Sequence, residues 1–135
     1  MRGTPVAVLP SGHRLATQER VSAADLLGAD FIGMREGYLM YRVAKKLFGD
    51  ATPPALHTTD GADMGTKMVG SGLGVTVLPD FSVQDDPLAL AGVITTRPLD
   101  TTPMIVRMML LSRRGARQPE TVAALAAALR ARGGL

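Results

Sequence analysis

The sequence predicts an α/β protein whose parallel-rich sheet is flanked by helices on both faces. Two observations carry this. Short apolar runs without polar alternation, such as Val6-Ala7-Val8-Leu9 and Val75-Thr76-Val77-Leu78, read as strands covered on both sides. Between such runs lie stretches of helical periodicity long enough to serve as crossovers, so the order is β-α-β-α-β.

Val6–Leu9 is the first strand, closed by Pro10-Ser11-Gly12, and a polar segment follows through Arg20. Ser22-Ala23-Ala24-Asp25 places an N-cap serine three residues before an acid and starts a brief helix ending near Gly28. Phe31–Met34 is the next strand, and Arg35-Glu36-Gly37 turns the chain. Residues 38–48 form an amphipathic helix in which Leu39, Val43 and Leu47 stack, with Met40, Ala44 and Phe48 beside them and Gly49 as the C′ residue. The loop Ala51-Thr52-Pro53-Pro54 leads to the strand Ala55–Thr59, and Asp60 is expected to cap a helix over 61–70. Asp63 and Lys67 form an i,i+4 pair there, and Met64 and Met68 share a face.

The segment 68–79, Met-Val-Gly-Ser-Gly-Leu-Gly-Val-Thr-Val-Leu-Pro, organises the centre. Gly70, Gly72 and Gly74 are free to take positive φ, closing the helix and turning the chain into a buried strand that Pro79 stops. A dinucleotide fingerprint needs strand, then glycines, then helix; the order here is reversed, and Gly61–Lys67 fails the Walker spacing. Asp80-Phe81-Ser82 is a turn or short helix, followed by a polar loop through Pro87. Val93–Thr96 is a strand and Met104–Ser112 a second extended segment. The last helix starts at Pro119 and Glu120, places Val122, Leu125, Ala126 and Leu129 on one face, and stops at Gly133-Gly134.

Composition narrows the chemistry. The 135 residues are one domain's worth, and with 8 Met and no Trp the core is filled by adaptable aliphatic side chains. Cysteine is absent, which removes disulfides and thiolate chemistry, and a reducing cytosol is expected. No segment resembles a signal peptide or a membrane span, so a soluble protein is expected. Residues 1–96 carry 8 basic and 10 acidic side chains, whereas 97–135 carry 7, all arginine, against 2. Those arginines imply either an anionic partner or a solvated face, and no aromatics interleave with them as they would in a nucleic-acid surface. His13 and His57 are 44 positions apart without metal-ligand spacing, so no metal or cofactor is expected. There is no Gly-x-Ser-x-Gly elbow, and no enzyme is expected; a small enzyme would have to use His13, His57, Glu36 and Asp60.

Leu9-Pro10-Ser11-Gly12-His13-Arg14-Leu15-Ala16, then Val21–Leu26, then Met68–Pro79, resembles the effector-binding (substrate-binding) domain of LysR-type transcriptional regulators. Arg14 stands where that family usually has proline. The resemblance implies a type 2 periplasmic-binding-protein-like fold. It divides the chain into a crossover strand from an incomplete first sub-domain (1–11), a second effector-binding sub-domain (12–100), and a returning strand and C-terminal helix (101–135). The winged helix-turn-helix, through which alone DNA would be contacted, and the front of the first sub-domain would lie outside this sequence. The implied role is effector sensing and dimerisation in the cytoplasm; the alternative is an interaction remnant without a competent cleft. In open α/β sheets ligands sit beyond the carboxyl ends of the strands. This points to Met34, Arg35, Glu36 and Gly37, and to Thr58, Thr59 and Asp60, holding a polar or carboxylate metabolite. Against it, Thr59 and Asp60 would merely cap a helix and Arg35 would be solvated; Glu36 opposes an anion unless it pairs with Arg35. Because Met104–Leu111 is too apolar for a bare edge, a homo-oligomer is expected through that edge or through the 38–48 helix.

Overall fold

The computed structural model describes residues 1–51, 53, 55–113, 115 and 119–133, with backbone alone at 55, 56, 132 and 133. Thr52 and Pro54 of the expected loop, Gly134 of the terminal glycine pair, and Arg114 and Arg117 of the arginine-rich tail lie outside these.

The elements run β1 (Arg2–Gly3), β2 (Pro5–Pro10), β3 (Val21–Ser22), α1 (Ala23–Leu27), β4 (Phe31–Met34), α2 (Leu39–Phe48), β5 (Ala55–Thr59), α3 (Ala62–Gly70), β6 (Thr76–Pro79), α4 (Pro87–Leu90), β7 (Ile94–Asp100), β8 (Val106–Arg107) and α5 (Glu120–Gly133). Strands are ordered β3-β7-β2-β6, and β4 pairs with β5. A parallel bridge from Phe31 to Val75, just before β6, joins the two groups into the order β3-β7-β2-β6-β4-β5. All positions of β4 and β6 are buried; since successive side chains point to opposite faces, both faces of these strands are covered. The step from β4 to β5 and that from β5 to β6 go in opposite directions across the sheet. Right-handed crossovers therefore place α2 and α3 on opposite faces. The α/β reading holds.

The sheet is parallel-rich, as expected, without being wholly parallel. β3, β7, β6, β4 and β5 share one direction, but β2 runs antiparallel to both β6 and β7. The reason lies in the connection. Residues 11–22 carry the chain back to β3, beside Leu99 and Asp100 at the edge where β2 began, and α1 then returns it. Two passes rather than one crossover thus separate β2 from β4. The end of β2 and the start of β4 therefore stay at one end of the sheet.

Local signals explain the rest. The Ser22 hydroxyl accepts from Asp25 N at 3.1 Å, and the Asp25 carboxylate accepts from Ser22 N at 2.9 Å, the reciprocal capping box. The Ser22 side-chain bond, with the backbone bond beside it, holds the Asp25 carboxyl below its usual range. His13 Nδ1 accepts from Leu15 N at 3.2 Å; burial, then nearby Arg14, lowers its pKa and favours the neutral acceptor form. In α2, Met40 and Phe48 are buried, and the Phe48 ring meets Phe31 edge-on at 5.2 Å. Leu39, expected in that stack, is exposed at the helix start. Arg97 of β7 ties down the loop before β3, donating to Ala16 O, Gln18 O and Thr96 O.

Helix α3 closes in a Schellman turn: Leu73 N donates to Met68 O and Gly72 N to Val69 O, with Gly72 at φ 77°. Gly70, expected to share the positive φ, remains helical, because the reversal falls after Ser71. Gly74 has φ 149°, and a Cβ there would lie 2.3 Å from the Asp30 carbonyl oxygen. That approach lets Val75 N reach Asp30 O and Ile32 N reach Val75 O, both at 2.8 Å.

The C-terminal part departs most from expectation. Within Met104–Ser112 only Val106–Arg107 forms a strand, because its partner β1 offers only Arg2 and Gly3. Met109, Leu110 and Leu111 are exposed. Along the expected apolar face of α5, Ala126 is buried while Val122, Leu125 and Leu129 are exposed.

The Gly74 contact yields a prediction. Gly74→Ala should cost roughly 2 kcal/mol or more of unfolding free energy, because neither its φ nor the fixed Asp30 backbone can yield. Gly72→Ala, at φ 77° with open space around it, should cost about 1 kcal/mol. Denaturant unfolding of both variants checks this; equal losses would remove the special role of the Asp30 contact.

Candidate functional site

Because five strands share a direction, their carboxyl ends, including Met34, Thr59, Pro79 and Asp100, lie on one edge of the sheet. The antiparallel β2 begins at that same edge. Thr4 O accepts from Asp80 N at 2.9 Å, and a Cβ on Gly3 would strike the Asp80 and Phe81 side chains, so the entering chain lies against the turn after β6. Concave surface of this kind, beyond strand ends, is where ligands of open α/β sheets bind.

Two cavities occupy the edge. One, of about 280 Å³, is formed by the end of β4 (Met34), the start of α2 (Tyr38, Leu39, Met40), the β5–α3 turn (Asp60, Gly61, Ala62), the end of β6 with its following turn (Leu78, Pro79, Phe81, Ser82) and β8 (Val106, Arg107, Met108). Its walls are almost wholly apolar. The second, of about 250 Å³, is more hydroxyl-rich, with Thr4, Thr101 and Thr102 beside Arg20 and Met104. Arg20 is committed to Leu99 O at 2.6 Å.

A family model described as the LysR substrate binding domain matches residues 1–134. The chain belongs to that family. The Bacillus subtilis (strain 168) transcriptional dual regulator GltC is 33% identical over 76 residues, covering 55% of this chain and 25% of its own length. The uncharacterized HTH-type regulator YybE of the same organism is 29% identical over 79 residues, covering 57% and 27%. This chain thus spans about a quarter of the length of the curated relatives it matches. Among solved structures, HinK, a LysR family transcriptional regulator from Pseudomonas aeruginosa, aligns with a TM-score of 0.60 at 25% identity over 78% of this chain and 37% of its own. A reduced form of OxyR from N. meningitidis aligns with a TM-score of 0.64 at 19% identity over 98% and 61%, a likeness of fold alone. The fold is that of LysR regulatory domains, α/β and periplasmic-binding-protein-like.

In this LysR substrate-binding domain the residues anticipated from sequence separate into two groups. Met34 and Asp60 line the larger cavity, and Met34 is itself buried. Arg35 is held beside it: its backbone N donates to Thr59 O at 3.1 Å and its Nε lies 2.9 Å from Asp60 Oδ1. Thr59 is buried, its methyl packed toward Gly65 along with the Met34 methyl. Glu36 and Thr58 are exposed and Gly37 turns at φ 96°; none of the three lines either cavity.

Asp60 is not the helix cap. Gly61 takes that position without a side-chain bond, and the Asp60 carboxylate faces Arg35 because β4 and β5 pair in register at Met34 and Thr59. Arg35 thus pairs with Asp60 and not with Glu36. Sequence reasoning also missed Tyr38, Leu39, Phe81 and the β8 residues Val106–Met108. The first three were legible as apolar side chains just after strand ends, whereas β8 is brought in by tertiary pairing. Among the described residues, no three His, Asp or Glu side chains gather as a metal site, and no helix is long and apolar enough to cross a membrane.

Both partners of the Arg35–Asp60 pair are largely exposed, 68% and 49%, so the pair is worth at most about 1 kcal/mol. A double-mutant cycle of Arg35→Gln and Asp60→Asn should show coupling of that size which shrinks in high salt. Strict additivity at low salt would remove the pair as an interaction.

Proposed function

We propose that this chain is the effector-sensing and dimerising portion of a LysR-type transcriptional regulator, non-enzymatic and cytoplasmic. A small molecule binds at the carboxyl edge of the parallel strands, and the change passes through subunit contacts to a winged helix-turn-helix that alone meets DNA. In this reading the chain is organised as a crossover strand at 1–11, an effector-binding sub-domain at 12–100, and a returning strand and helix at 101–135. The observation that carries this reading is the cavity between β4, α2, β6 and β8, at the fold's natural ligand position, in a chain whose family is that of LysR substrate-binding domains. Arg35, Asp60 and Met34 form or border that cavity.

A ligand that binds only the folded chain raises its melting temperature by mass action, by an amount that grows with concentration. Thermal unfolding against panels of carboxylates, amino acids and aromatic acids should give a reproducible shift confined to one chemical class. A cooperative melt that no class moves would overturn the sensing role.

The exposed Ile105, Met108–Leu111 and Leu125 favour self-association, whether within a sensor or as an interaction remnant lacking a working cleft. Sedimentation of the purified chain should show a dimer or larger species that Leu111→Asp dissociates. A strict monomer at high concentration would remove the association.

A further inference from the structure

Building on the effector reading above, we propose that the ligand of the larger cavity is a compact monocarboxylate with an apolar body, anchored by Arg107 rather than by Arg35. The body is dictated by the wall. Met34, Tyr38, Leu39, Leu78, Phe81 and Met108 present hydrocarbon, sulfur and ring surface, and a ligand carrying several polar groups would lose their hydration without finding partners. The volume, about 280 Å³, lies at the lower end of ligand-pocket sizes, which suits a molecule the size of a benzoate or a short acyl chain.

The single negative charge follows from the charges that face the cavity. Asp60 and Arg107 are its charged lining residues. The Asp60 carboxylate is neutralised by the Arg35 guanidinium at 2.9 Å, so this pair offers neither a free anion nor a free cation. No carboxylate of the described residues lies within ion-pairing distance of Arg107. Arg2 sits directly opposite Arg107 in the β1–β8 register, a like-charge cross-strand pair that is unfavourable until an anion joins it. The cavity therefore carries a surplus of one positive charge, backed by a second. Val106 is buried and the strand is paired to Gly3, so the backbone beneath Arg107 is fixed. A carboxylate seated there bridges β8 to the start of α2, segments nearly 70 residues apart in the chain.

The test is calorimetric titration of the full 135-residue chain with benzoate and hexanoate, with benzamide as the uncharged counterpart of benzoate, and with malate as a polar dicarboxylate. Benzoate or hexanoate should bind at least about tenfold tighter than benzamide and malate, the scale of one charge-assisted hydrogen bond. Arg107→Gln, an exposed change whose folding is checked by its melting curve, should lower benzoate affinity about tenfold or more, to the level of benzamide. Leu39→Ser, also exposed, should weaken benzoate and benzamide alike. Benzamide binding as well as benzoate, or benzoate binding unchanged in Arg107→Gln, overturns the anchor. Malate preferred over the apolar acids overturns the ligand class while leaving the effector reading intact. If none of these probes binds but another class shifts the melting curve, only this inference falls; if nothing binds at all, both fall.

Discussion

The structure depends on one strand running the wrong way. β2 lies between β6 and β7, antiparallel to both, and Ala7, Val8 and Leu9 on it are completely buried. Its two ladders satisfy the backbone of the sheet's centre, and its side chains supply the middle of the core on both faces. Because it opposes the other five strands, its N-terminal end arrives where they finish. The chain before β2 is therefore pressed against the turn after β6, through Thr4 and Asp80, and the ligand edge of the sheet has a covalent strut across it.

The two halves of the sheet meet at a second constraint. Between β6 and β4 the ladder rests on Val75, reached only because Gly74 lets the chain brush the Asp30 carbonyl. A side chain there would push β4 and β5 away from the central strands. Met34 and Thr59, which end those strands, would move relative to Leu78 and Pro79, which end β6. The cavity is bounded by both groups, so its shape is set by a glycine that does not touch it.

Where folding is decided by near neighbours in sequence, the sequence was readable. The Ser22–Asp25 capping box, the α2 helix ending at Gly49, the Gly72 reversal and the buried strand before Pro79 all follow from residues within about ten positions of one another. Features decided by pairing across the sheet were not. The direction of β2 rests on the double pass between it and β4, through β3 and then α1, and no periodicity reveals that. Asp60 looked like a cap because it precedes a helix, yet an acid at a strand end answers first to whatever lies across the ladder, and that is Arg35. Apolarity alone makes Met104–Ser112 look extended throughout, whereas strand length is set by the partner, and β1 is two residues long.

The candidate site shows the same limit in its electrostatics. Read along the chain, Arg35 is the cation nearest to the predicted ligand loops, and Glu36 is the acid that would answer it. Folded, Glu36 lines neither cavity, Asp60 arrives from the neighbouring strand to pair with Arg35, and the unpaired charge on the cavity wall is that of Arg107, more than 70 residues later. Charge complementarity is a property of the space around a cavity, where interactions between solvent-exposed groups fade beyond roughly 10 Å. Sequence proximity does not tell which arginine keeps an unpaired charge, because the parallel ladder, not the chain, decides which acid each arginine meets. The apolar wall gives the same result: it is assembled from five segments of the chain, each contributing one to four residues that look like ordinary core or turn when read alone. A binding surface of this fold is thus encoded in the pairing of its strands before it is encoded in any motif.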